Sequence, residues 1–319
     1  MGEKEAKEQE PKTGFFRRYR RAMIAAGLAG LAVGGFVGYK HFERTGEVKS
    51  YQAKTPQPAN IDNQVAIGSW NMHNEAAARV KQIRLLANKH RLDVMMMQEV
   101  NTEDVQMLRA RFKTWNVAFV LADARQEFDS GGYGNVIMSR QKLESVSGLG
   151  INGDSVMDYA TKTLAEGTID MVNLDTSFPR SKEAPRENRA GLAATVRAYD
   201  GNQLRKIRAV TFHIGGQKDV NAPQLKTVFN WSKENTAKDQ TTVACGDLNA
   251  GPDRVLVPFA GYGFYTPQTG PTTKNNGAPI DYCAVNNGEV LGTPKVEVDR
   301  DFYTDHYAIV AKFALKNVD

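Results

Sequence analysis

The sequence predicts an α/β sandwich, with helices covering stacked β-sheets, over residues 63–319, preceded by one N-terminal transmembrane helix. Two observations carry that reading. Beyond residue 63, many apolar runs of strand length alternate with only a few helical patterns, as expected of sheets covered by helices in one large domain. Ahead of them, AMIAAGLAGLAVGGFVGY at residues 22–39 runs for 18 residues without a charge.

Residues 1–21 form a basic segment ending in FFRRYRR. The 18-residue run behind it is short but adequate against the roughly 20 apolar residues that cross a bilayer. Arginines on its N-terminal side stay in the cytoplasm, which places the following body outside it. A cleaved signal peptide is the alternative and would make the body secreted. Against it, 21 residues is long for the segment before the apolar core, and no clean A-x-A site follows. Gly30, Gly34 and Gly38 have the G-x-x-x-G spacing that can pair two membrane helices. Residues 40–62 are polar, carry two prolines and read as a linker.

The formal net charge of +5 suggests a nucleic-acid binder until it is located. Residues 1–60 hold 11 Lys and Arg against 6 Asp and Glu, and the remainder holds 30 against 30. The basic balance therefore belongs to the N-terminal segment and does not describe what the body binds.

Within the body, QVAIGSW, DVMMMQ, NVAFVLA, GNVIMSR, AGLAATVRAY, IRAVTFH, TTVACG, IDYCAV and HYAIVAKFAL read as strands. Apolar spacing predicts helices near residues 76–89, 103–112 and 221–237. Cys245 and Cys283 each sit in a short apolar run; buried free thiols are the default, with an oxidised pair as the alternative in an extracytoplasmic body.

The polar residues are informative by position. Asn71, Glu99, His213, Asp247 with Asn249, Asp281, and Asp305 with His306 all stand at the ends of apolar strands. Singly, each reads as a turn former or a structural histidine. Together they are the hard oxygen ligands and proton carriers of metal-assisted phosphoryl chemistry. In VACGDLNAGPD, strand alternation puts Asp247 and Asn249 on one side, Gly246 leaves room for close approach, and Gly251-Pro252 turns the chain away. No C-x-x-C or H-E-x-x-H occurs, and only five histidines are present, so the set suits Mg²⁺, with Mn²⁺ as the alternative, rather than zinc.

The motifs SWNMHN, MMQEV, GNVIMSR, RAGLAATV, TFHIGG, CGDLNAGPD, PIDYC and TDHYAIV then occur in the order found in the endonuclease/exonuclease/phosphatase superfamily. Over residues 66–313 the chain resembles that superfamily, which includes pancreatic deoxyribonuclease and the apurinic endonucleases. The resemblance implies a deoxyribonuclease-like fold of four layers, two mixed sheets face to face with helices outside. It also implies roles: Asn71, Glu99 and Asp305 on the divalent metal, with Glu99 the principal ligand. Asp247 orients or deprotonates the attacking water and Asn249 supports nucleophile and phosphate. His306 stands against the scissile phosphate with Asp281 on its ring. His213 corresponds to a general acid on the leaving oxygen, although Gly134 and Asn135 stand where the deoxyribonuclease branch carries that histidine's glutamate partner. Arg189 corresponds to an arginine that reaches the phosphate, next to a charged loop holding Arg180, Lys182 and Arg186. His73 and Asn74 read as loop residues.

The activity implied is a metal-dependent nuclease, with DNA the first substrate. The alternative is the same chemistry on a phospholipid, sphingomyelin or an inositol phosphate, which the uncharged body does not disfavour. A catalytically silent binding module predicts lost catalytic residues, and none of the set is missing.

Overall fold

The computed structural model describes residues 48–53, 64–123, 132–152, 155–158, 189–200, 203–216, 218–234, 240–267, 270–273, 277–286 and 290–315. The basic segment, the apolar run 22–39 with Gly30, Gly34 and Gly38, and the loop bearing Arg180, Lys182 and Arg186 lie outside them. Among the described residues no helix is long and apolar enough to cross a membrane.

The chain runs β1 (Val48–Tyr51), β2 (Val65–Asn71), α1 (Val80–Lys89), β3 (Val94–Asn101), α2 (Thr102–Arg111), β4 (Asn116–Asp123) and β5 (Tyr133–Ser139). It continues through β6 (Leu143–Asn152), β7 (Ser155–Asp158), β8 (Arg189–Asp200), β9 (Gln203–His213), α3 (Lys218–Glu234) and β10 (Thr241–Asp247). α4 (Pro252–Gly261), β11 (Phe264–Tyr265), β12 (Asp281–Asn286), β13 (Val290–Tyr303) and β14 (Tyr307–Leu315) complete it.

Among the described residues two seven-stranded sheets form, ordered β1-β4-β5-β3-β2-β14-β13 and β11-β12-β10-β9-β8-β6-β7. Both are mixed: β2 and β3 run parallel in the first, β9 and β10 in the second, and the remaining pairs are antiparallel. Alternation explains how they stack. Ile67, Val94, Met96 and Ile309 of the first sheet meet Leu192, Ala209, Val243 and Cys245 of the second in one buried core. The opposite faces are covered by helices. Ile83 and Leu86 of α1 with Val105 and Leu108 of α2 pack on Met95 and Met97. Leu225 and Phe229 of α3 with Val255 and Phe259 of α4 pack on Val210 and Ala244. The sandwich expected from the strand-rich pattern is the one observed.

Three differences have physical causes. Residues 40–62 read as a linker, yet Val48–Tyr51 form edge strand β1, paired antiparallel with β4 and lacking an apolar period. Gly251-Pro252 reads as a turn, yet it starts α4: Gly251 is the N-cap and Pro252 occupies the first turn, where its missing N–H costs no helical bond. Cys245 and Cys283 are not free thiols. They are directly opposed on β10 and β12, with an S–S distance of 2.06 Å.

Candidate functional site

Strand register assembles the site. The parallel pairs β2–β3 and β9–β10 direct their carboxyl ends to the same edge of the sandwich, where Asn71 pairs with Gln98 and His213 with Asp247. Asp281 lies opposite Asp247 on β12, and Ala190, next to Arg189, lies opposite His213 on β8. The Thr304–His306 turn ahead of β14 is fastened to β2. Thr304 Oγ1 donates to Asn71 O at 2.8 Å, and Trp70 Nε1 donates to His306 O at 3.1 Å.

Backbone strain gathers here. Of the six non-glycine residues with positive φ among the described residues, four are His73, Asn74, Glu99 and Asn249. Glu99 sits in a register shift between Met97 and Val100, and this bulge turns its carboxylate to the rim. Asn249 reaches Asp247 differently from the alternation read in the sequence. It lies beyond the end of β10, and its left-handed backbone lets its N–H donate to Asp247 Oδ1 at 2.9 Å. Gly246 does give the close approach expected, since a Cβ there would stand 2.0 Å from Phe212 O.

The Asn71 amide nitrogen is 3.0 Å from both Glu99 Oε1 and Asp247 Oδ2, and its oxygen accepts from His73 N–H at 3.0 Å. Asp247 is 1 % exposed. Burial first, then the Asp281 charge, push its carboxyl up to about 7 against the opposing effect of His306. His306 Nδ1 is 2.8 Å from Asp281 Oδ2, and its Nε2 is 3.7 Å from Asp247 Oδ2. Burial would lower its pKa, but the hydrogen bond and charge of Asp281, with Asp247 and Asp305, raise it to about 10. His306 is thus a cation at neutral pH, with a fixed ring.

His213 is the opposite case. Arg189 Nη1 lies 3.1 Å from its Nδ1 and Asn249 Nδ2 lies 3.2 Å from its Nε2, so both ring nitrogens face donors. Burial, Arg189 and His306 hold its pKa well below the usual value. These surroundings favour the neutral imidazole at the position where a general acid is expected. The missing glutamate explains why. A Cβ on Gly134 would lie 1.8 Å from Val120 O, and Asn135 donates to Ala190 O at 2.6 Å, leaving the buried guanidinium of Arg189 as the ring's neighbour.

Asp305 is brought to the rim but engages His73, whose Nδ1 stands 3.3 Å from its Oδ1. Burial would raise Asp305, yet the His73 hydrogen bond and the charges of His306 and His73 hold it at about 2. His73 is the residue that sequence reasoning set aside. The signal that could have found it was the unbroken run SWNMHN. Tyr133, whose hydroxyl is 3.3 Å from Arg189 Nη1, carried no sequence signal at all.

The donor set fits a hard divalent cation. Ligand atoms of Glu99, His213 and Asp247 lie within 4.8 Å of one another, and a carboxyl as strongly raised as Asp247 favours a nearby cation. Asp247, Asp281 and His306 are equally close, but a cationic imidazole bonded to Asp281 cannot ligate, so that group is suited to handling charge and protons rather than to holding a metal.

These shifts set a pH profile. With Asp247 acting deprotonated and His306 protonated, activity will rise on an acid limb set by Asp247, which a bound cation draws below about 7, and fall through about pH 10. Asp281 raises both groups, so Asp281→Asn will move both limbs to lower pH. A kcat/KM profile of the two proteins checks this, and unmoved limbs would refute the assignment.

A family model described as "Endonuclease/Exonuclease/phosphatase family" matches residues 68–306. No curated protein matches the sequence. Among solved structures, a functionally unknown conserved protein from Enterococcus faecalis V583 is 18% identical, with a TM-score of 0.56 over 79% of this chain and 100% of that one. D. rerio TDP2 complexed with single-strand DNA product is 16% identical, with a TM-score of 0.54 over 79% and 99%. The mannosyl-6-phosphatase of Bacteroides thetaiotaomicron VPI-5482 is 13% identical, with a TM-score of 0.54 over 78% and 99%.

Proposed function

Because the chain belongs to the endonuclease/exonuclease/phosphatase family, whose chemistry is phosphoester hydrolysis, we propose that it is a divalent-metal-dependent phosphodiesterase that cuts nucleic acid, DNA foremost, by in-line attack of water. The observation that carries this reading is the pairing of opposite protonation states on neighbouring side chains: a base at Asp247 and a cation at His306, with Oδ2 and Nε2 3.7 Å apart.

Glu99, with Asn71 and Asp247 beside it, would hold Mg²⁺ or Mn²⁺, which supplies charge neutralisation at the phosphoryl oxygens. Asp247 Oδ1 accepts from the Asn249 N–H and Oδ2 from the Asn71 amide, which hold the carboxylate in place; Oδ2, with a lone pair left over, would take the proton of the attacking water. His306 presents Nε2–H toward the phosphate while Asp281 stabilises the imidazolium. Arg189 contributes a buried positive charge and fixes the ring of neutral His213.

The equal numbers of acidic and basic residues beyond residue 60 favour a second reading, the same chemistry on a phospholipid, sphingomyelin or inositol phosphate. A substrate panel with the full-length chain separates the two. Plasmid nicking that needs Mg²⁺ and stops with EDTA supports the first reading; inert DNA beside cleaved lipid or inositol phosphate supports the second. Metal-independent activity refutes both. The buried disulfide supports a body outside the cytoplasm, in keeping with the apolar run and its preceding arginines.

A further inference from the structure

Beside the Asp305–His306 turn, a small aromatic and cationic patch takes no part in the chemistry above. Tyr303 and Tyr307 pair across the mouth of the β13–β14 hairpin, with ring centroids 6.4 Å apart at 74°. Tyr303, two residues before Asp305, is 40% exposed, although its neighbour Phe302 is buried against Trp70. The Arg300 guanidinium lies 5.6 Å from the Tyr307 ring centroid. Tyr307 shares a strand face with Ile309 and Ala311, which enter the core between the sheets, so its ring lies on the side facing the second sheet. There Tyr307 N donates to Thr272 O at 2.7 Å, just ahead of the strand that carries Asp281.

An exposed Tyr303 ring, edge-packed on half-buried Tyr307 and backed by a guanidinium next to a phosphate site, matches the chemistry of base stacking: a π-face for the base and a positive charge for the strand. We propose that Tyr303, Tyr307 and Arg300 form a stacking platform for a nucleobase flanking the phosphodiester that is cut. The platform rests on the nuclease reading and adds to it that the enzyme grips an unpaired base, hence a single strand or a frayed end.

The test uses the full-length chain with Mg²⁺ and a single-stranded oligonucleotide, natural or carrying a tetrahydrofuran abasic residue beside the cut. Tyr303→Ala is expected to raise KM on the natural strand about tenfold with kcat little changed, whereas Tyr303→Phe behaves as wild type. On the abasic strand wild type and Tyr303→Ala should share one KM. Equal KM values on the natural strand, or an equal penalty on both strands, overturn the platform while leaving the nuclease standing. If wild type cuts neither strand, the nuclease reading falls and the platform with it; Tyr303-dependent binding of phosphatidylcholine vesicles in that case identifies a lipid contact instead.

Discussion

Asp247→Asn is expected to be almost inactive and yet more stable than wild type. Replacing the carboxylate removes the group placed to accept the proton of water, at a cost of roughly a thousandfold in kcat. Stability moves the other way. A buried acid whose folded pKa is raised binds more protons folded than unfolded between its ordinary value of 3.8 and about 7, so ionising it destabilises the protein as pH rises through that window. Asparagine keeps the shape and has no charge to bury. In EDTA at pH 8 the variant should therefore melt above wild type, and the gap should close as pH approaches 4. An unchanged kcat would remove Asp247 from the chemistry; a lower melting point at pH 8 would show that its charge is not strained by burial.

The second large effect concerns the Cys245–Cys283 bridge, which closes a loop of 38 residues. Chain-entropy arguments give such a loop about 4 kcal/mol of stabilisation. For a body of this size that corresponds to about 10 °C in melting temperature. The double replacement Cys245→Ala, Cys283→Ala should lose that much by calorimetry. Because both sulfur-bearing residues are at most 1% exposed, dithiothreitol should leave the native protein oxidised and act only once it unfolds. Equal melting temperatures for the two proteins would show that the bridge adds nothing.

How much of this the sequence contains depends on where an element sits. All nine strands read from apolar runs are present, and they are the sheet centres, buried on both faces. Among the described residues the strands not read from the sequence are β1, β13, β7 and β11, at the four ends of the two sheets, with β6 beside β7. An edge strand such as VLGTPKVEVDRDFY pairs on one side only and keeps charge on its free face, so its apolar pattern is diluted. The site residues were legible because catalysis needs particular functional groups, and Asn71, Glu99, Asp247, Asp281 and His306 do converge. Their ionisation was not legible. That His213 is neutral and His306 cationic depends on Arg189 and Asp281, neighbours supplied by strand register and not by spacing along the chain.

The meeting of the two parallel strand pairs at one edge divides the centre between halves that fold from different stretches of chain. Asn71 and Glu99 come from the first sheet, His213, Asp247 and Asp281 from the second, and His306 returns from the last strand of the first. Neither sheet holds all of these residues, so the distances between them depend on how the two sheets lie against each other.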